Sequence, residues 1–147
     1  IMKWVMDWRL CEVLLDSIWY RSNQVGNDAM KIGFIGTGLM GLPMAKRVLE
    51  AQLSLIAYNR TLDKLGPLKT AGAAIAPSAE NLIQQADCIV LMLTNAQAIQ
   101  EVLQLGEQSL SLAGKTIIQM GTIAPSESRA ICDAVTAAGG AYLEAPV

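Results

Sequence analysis

Four glycines fall within "KIGFIGTGLMGLPMAKRVL", residues 31 to 49, at the seam between two apolar stretches. Glycine weakens a strand and a helix alike, so its placement at a handover between them demands a reason. Three of the four form Gly36-Thr37-Gly38-Leu39-Met40-Gly41, a G-x-G-x-x-G directly after one apolar run and opening the next. In a strand–turn–helix setting each glycine has a separate task. One allows the tight turn, one clears the β-carbon from the path of a pyrophosphate, and one lets helix and strand approach. The phosphates then meet the free N–H groups and positive dipole end of the helix. Pro43 belongs in the first turn, where a missing N–H costs least, and so fixes the helix start beside the glycines. The other use of such a segment is a glycine-rich packing turn without a ligand.

The rest of the chain alternates in the way this motif requires. Apolar runs at Lys31–Gly36, Leu53–Asn59, Ala73–Ala76, Asp87–Leu93, Lys115–Met120 and from Ala141 onward read as six strands. Between them lie Leu39–Ala51, a segment from Thr61, "AENLIQQA" after Ser78, "NAQAIQEVL" and Ala124–Gly140, all of helical character. Leu42, Ala45 and Leu49 share a face of the first helix. Thr61 and Ser78 are candidate N-caps, and Gly66-Pro67 must bend or break the second helix. The nearly unbroken apolar run 87–93 is expected of a strand covered on both faces. The expected fold is α/β, a doubly wound Rossmann fold with a mostly parallel six-stranded sheet.

The end of the second strand speaks to the choice of dinucleotide. An NAD site usually places a carboxylate there for the ribose 2′-hydroxyl. This chain has Asn59-Arg60-Thr61 instead. Arg60 can grip a 2′-phosphate with a charge-assisted fork, with Asn59 and Thr61 as further donors. NADP is therefore the expected cofactor, with NAD the other candidate. The plainer use of Arg60 is as a solvated residue at a strand end.

Residues 1–29 read differently. They hold all three tryptophans, Trp4, Trp8 and Trp19. Trp4, Trp8, Cys11, Leu15 and Ile18 recur at helical spacing, and Asp7, Glu12 and Asp16 rule out a signal h-region or a membrane span. "RSNQVGND" (21–28) reads as a linker, and Met30 looks like the first residue of a domain. The expected division is an extension over 1–29, helical or disordered and foreign to the core fold, and a dinucleotide-binding domain over 30–147. The alternative is an amphipathic helix that packs on a partner.

Composition removes several functions. A net charge of −2 offers no basic footprint for nucleic acid. Cys11, Cys88 and Cys132 have no metal-like spacing and read as free thiols of a reducing compartment, which places the chain in the cytoplasm. The absence of histidine removes the usual zinc ligand and near-neutral proton donor.

Five segments together, "KIGFIGTGLMGLPMAKRVLEA", "AYNRT", "IVLMLTNAQAI", "QMGTIAPS" and "GAYLEAPV", resemble the β-hydroxyacid dehydrogenase family. It includes 3-hydroxyisobutyrate dehydrogenases, tartronate semialdehyde reductases, glyoxylate/succinic semialdehyde reductases and, more distantly, 6-phosphogluconate dehydrogenase. The resemblance runs from Met30 to Val147. It implies that Gly36, Gly38, Leu39 and Met40 line the pyrophosphate, and that Asn59, Arg60 and Thr61 form the NRT of NADP-preferring members. It implies that Leu93 and Thr94 lie along the cofactor, and that Gly121 and Thr122 stand in the substrate motif, Thr122 touching nicotinamide and substrate. Gly121 replaces the more usual serine, and Glu144 an aspartate. Thr122 is alternatively the N-cap of the helix beginning near Pro125.

The resemblance further implies an all-α second domain carrying a catalytic lysine and a neighbouring asparagine. Lys3, Lys31, Lys46, Lys64, Lys69 and Lys115 match no such motif, so no catalytic residue is assigned here. Lys115 is most simply a residue at the start of a strand. The implied activity is hydride transfer between a nicotinamide and a small 3-hydroxy acid or its semialdehyde by a homo-oligomeric parent. The chain alone should bind NADP(H) without turnover and expose an apolar patch. A non-catalytic nucleotide-binding or interaction module and an imine-reductase-like enzyme are the other classes.

Overall fold

The computed structural model describes residues 30–106 and 110–147. The expected extension, helical or foreign to the fold, lies outside the described residues. Lys31–Val147 forms one compact unit, which is described here by itself.

Its elements follow the alternation read from the sequence, usually one or two residues shorter at each end. They are β1 (Lys31–Ile35), α1 (Gly41–Glu50), β2 (Ser54–Tyr58), a 3-10 turn (Leu62–Leu65) running into α2 (Gly66–Thr70), and β3 (Ala74–Ile75). Then come α3 (Ala79–Gln85), β4 (Cys88–Leu91), α4 (Ala96–Leu103), β5 (Thr116–Gln119), α5 (Pro125–Ala137) and β6 (Ala141–Glu144). The six strands make one sheet in the order β3-β2-β1-β4-β5-β6. Every neighbouring pair is parallel. The order runs outward from β1 in one direction and then, after β3, returns to β4 on its other side. This is the doubly wound Rossmann arrangement, and its crevice opens between β1 and β4 at the carboxyl ends of the strands.

Both faces of the sheet are covered near that crevice. Ile35, Ile56, Ile89, Leu91 and Ile117 join Leu82, Ile83, Ile99, Leu103, Ile131 and Val135 in one buried cluster under α3, α4 and α5. Their strand neighbours Phe34, Ala57, Val90 and Ile118 are also buried and, by the period of a strand, point the other way. All four residues of β4 are buried, which explains its uninterrupted apolar run. Each fully buried Leu or Ile contributes about 1.5–3 kcal/mol relative to exposure.

The local signals are mostly borne out. Ser78 accepts from Asn81 N at 3.1 Å and starts α3. Asn95 does the same for α4 through Ala98 N at 2.8 Å. Gly66-Pro67 changes the segment from a 3-10 turn to an α-helix. Thr61 departs from expectation, since its hydroxyl makes no capping bond and its carbonyl instead accepts from Lys64 N at 3.2 Å. Lys115 does more than begin a strand. Its ammonium donates to Ala86 O at 2.8 Å and Gln84 O at 3.3 Å, and so neutralises the carbonyl end of α3.

Candidate functional site

The loop after β1 shows why three glycines are needed. Gly36 has φ +96°, and a β-carbon on it would collide with the Met92 carbonyl oxygen of the loop after β4. A β-carbon on Gly41 would collide with the Gly36 carbonyl and press on Phe34. These two positions are closed by the protein itself. Gly38 is the opposite case, with nothing within 4 Å of where its β-carbon would stand. The space beside Gly38 is an open cradle, and a ligand approaching the peptide backbone would fill it. Helix α1 begins at Gly41 without a side-chain cap, in contrast to α3 and α4. No capping side chain takes its first N–H groups, although that of Leu42 donates to Gly38 O at 3.1 Å. Pro43 sits in the first turn, as the sequence requires.

The loop after β2 is tied to the glycine loop by one side chain. Asn59 Oδ1 accepts from Thr37 N at 3.2 Å, while Asn59 Nδ2 donates to Thr61 O at 2.9 Å. Asn59 thus positions two loops, and only part of its amide is left to donate to a ligand. Arg60 and Thr61 beyond it are exposed.

A cavity of about 790 Å³ joins these loops. Gly36, Gly38, Asn59, Arg60, Thr61, Leu93 and Thr94 all line it. Lys64, one turn beyond Thr61, lines the same cavity and adds a second cation beside Arg60. The spacing Thr61-x-x-Lys64 on a helical turn was the available signal for it. Asn95, Gln97 and Glu101 of the α4 side complete the opposite wall. Glu101 is held by Gln97 Nε2 at 2.9 Å.

Four expected site residues are not part of that lining. Leu39 is 97% exposed and Met40 44% exposed, on the outer side of the glycine loop. Gly121 is buried, and Thr122 beside it is exposed. A β-carbon on Gly121 would collide with the Leu93 carbonyl oxygen, so the loop after β5 rests directly on the loop after β4. Thr122 is not the cap of α5. That place belongs to Ala124, whose N–H donates to Glu127 Oε2 at 2.9 Å.

The donor set suits a dinucleotide. It has a helix start without a side-chain cap, an open glycine, exposed cations at the end of β2, and a cavity across the carboxyl ends of three parallel strands. Among the described residues no cluster of His, Cys, Asp and Glu could hold a metal ion, and no helix is long and apolar enough to cross a membrane.

Residues 31–147 match the family model of the NAD binding domain of 6-phosphogluconate dehydrogenase. The chain is 38% identical over 122 residues to a 2-hydroxy-3-oxopropionate reductase of Escherichia coli, covering 80% of this chain and 41% of that protein. It is 34% identical to a mitochondrial 3-hydroxyisobutyrate dehydrogenase of Mus musculus, covering 79% of this chain and 35% of the other. A reductive aminase from Aspergillus terreus, solved with NADPH, cyclohexanone and allyl amine, superposes with a TM-score of 0.73 at 30% identity, over 80% of this chain and 41% of that one. The chain thus spans about two fifths of the length of such relatives.

Proposed function

Because this chain belongs to the family of the NAD binding domain of 6-phosphogluconate dehydrogenase, we propose that it holds NADP(H) for hydride transfer to a small aldehyde or keto acid. The observation that carries the reading is the convergence of Gly36, Gly38, Arg60, Thr61 and Lys64 on one cavity. The glycine loop takes the diphosphate through backbone N–H groups. Arg60 and Lys64 take the 2′-phosphate, where a carboxylate would repel it, and Thr61 adds a hydroxyl donor. Asn59 keeps the two loops in register. Leu93 and Thr94 lie along the cofactor's path toward β4, and Leu39 and Met40 flank the diphosphate from outside. Gly121 and Thr122 stand on the substrate side.

The nicotinamide supplies or accepts the hydride when bound. This chain's own residues orient the dinucleotide and form one wall of the substrate site. No group here is assigned the proton, which a lysine of a helical second domain would deliver to the carbonyl oxygen. In this reading residues 30–147 are the cofactor domain, residues 1–29 are an appended segment, and the parent is a cytoplasmic homo-oligomer. A second reading, reduction of an imine in place of a carbonyl, is supported by the likeness to the reductive aminase. The hydroxyacid form of the segment Gly121-Thr122-Ile123 favours the carbonyl substrate.

Calorimetric titration tests the cofactor assignment. NADPH should bind more tightly than NADH, and Arg60→Ala should remove most of that difference. Equal affinity of the wild-type chain for both would overturn the 2′-phosphate assignment. Binding of neither would overturn the site.

A further inference from the structure

Gln119, the last residue of β5, has no exposed surface, and neither its Nε2 nor its Oε1 has a hydrogen-bond partner. Its backbone lies inside the sheet, paired with Leu91 on one side and Glu144 on the other, and its carbonyl accepts from Ala145 N at 2.9 Å. The side chain alone is unsatisfied. A buried carboxamide with both ends unpaired is a standing cost to folding, and its presence calls for a state in which it is paired.

The neighbourhood holds an acceptor close to its Nε2. The point where a β-carbon would stand on Gly121 is 3.4 Å from Gln119 Nε2 and in hard overlap with the Leu93 carbonyl oxygen. A strong donor and a strong acceptor thus border the same small volume, which any side chain at position 121 would fill. Leu93 belongs to the loop whose other side lines the cofactor cavity. Gly121 belongs to the loop that carries Thr122. The carboxamide sits under the junction of the two loops, on the β4–β5 side of the crevice and away from Arg60.

We propose that Gln119 is a positioning residue for the nicotinamide half of the cofactor, a role that rests on the reading of the cavity as a dinucleotide site. In the cofactor-bound arrangement its Nε2 donates to the Leu93 carbonyl through the gap that Gly121 leaves. The bond clamps the loop after β4 to the loop after β5. Gly121 is required because the clamp passes where a serine side chain would stand. The adenosine half, held by Arg60, Thr61 and Lys64, does not depend on it.

The test uses the chain itself and two probes. NADPH carries the nicotinamide, whereas adenosine 2′,5′-bisphosphate carries only the adenosine end and its phosphates. Gln119→Met keeps length and volume but removes both polar atoms. It should weaken NADPH about three- to tenfold, the worth of one hydrogen bond. It should leave the bisphosphate within about twofold, and leave the melting temperature of the free chain unchanged or higher, because an unpaired polar group has gone. Equal weakening of both probes with a lower melting temperature would make Gln119 merely structural and overturn the proposal. No change in either affinity would also overturn it. Gln119→Asn, which keeps a shorter carboxamide, gives the same comparison if the Met variant does not fold, and failure of both to fold counts against the clamp. Failure of the unsubstituted chain to bind either probe would instead remove the cavity reading itself.

Discussion

The two sides of the crevice are built by opposite means. On the β2 side, Arg60, Thr61 and Lys64 are exposed around an open cavity, and the loop is fixed from behind by Asn59. On the β5 side, Gly121 is buried against a carbonyl, and the polar group beneath it has no partner. The first side is ready before a ligand arrives. The second stores its polar capacity inside.

Substitutions at the glycine loop put the greatest strain on this contrast. Gly36→Val places a side chain at φ +96° and against the Met92 carbonyl. The strain alone costs about 1–3 kcal/mol, so melting temperature should fall together with the affinity for every nucleotide. Arg60→Ala comes next. Loss of a charge-assisted bond should weaken NADPH about ten- to a hundredfold and leave NADH nearly unchanged; a parallel loss of NADH would show that Arg60 acts structurally. Gly38→Ala separates folding from binding. Its β-carbon meets nothing, so thermal stability should hold or rise by about 0.4–1 kcal/mol while NADPH titration shows weaker binding. A destabilised Gly38→Ala would mean the cradle is not open. Lys64→Ala should weaken NADPH by less than Arg60→Ala, and the effect should shrink in high salt because the group is exposed.

The smallest effect lies far from the cavity. Tyr142 shares a 3.0 Å hydrogen bond with Ser128. Burial, with smaller contributions from Glu144 and Cys132, raises its pKa above 10.0 even though the Ser128 bond works against the rise. The unfolded chain releases this proton first, so stability is fully present below about 10 and falls as pH climbs from there toward the folded value. Tyr142→Phe should flatten that alkaline decline without touching nucleotide affinity.

The architecture could be read in the sequence because its signals are local. A helix cap needs only three residues, as at Ser78, and a buried strand announces itself as at 88–91. The strands came out shorter than their apolar runs, β3 being just Ala74–Ile75, because pairing ends where neighbouring chains diverge into loops. The glycine motif was legible for the same reason, although which glycines the protein itself closes and which it leaves open was not. That division depends on the Met92 and Gly36 carbonyls, set in place by the sheet. Asn59 was read as a ligand donor, and its second task, accepting from Thr37 N 22 positions away, did not show. Lys64 was passed over because no strand end or glycine marked it. The orphaned carboxamide of Gln119 could not be read at all, since one polar letter in "TIIQM" says nothing about what will surround it.

The bond from Asn59 to Thr37 has a bearing on how this site can change. In the proposed site it rivets the surface that would distinguish one nucleotide from another to the surface that would grasp any of them. On that proposal, exchanges at Arg60 or Lys64 would retune discrimination while the grasp is left alone. An exchange at Asn59 disturbs both at once, so a lineage shifting its cofactor would find the outer residues free to vary and the rivet the last to move.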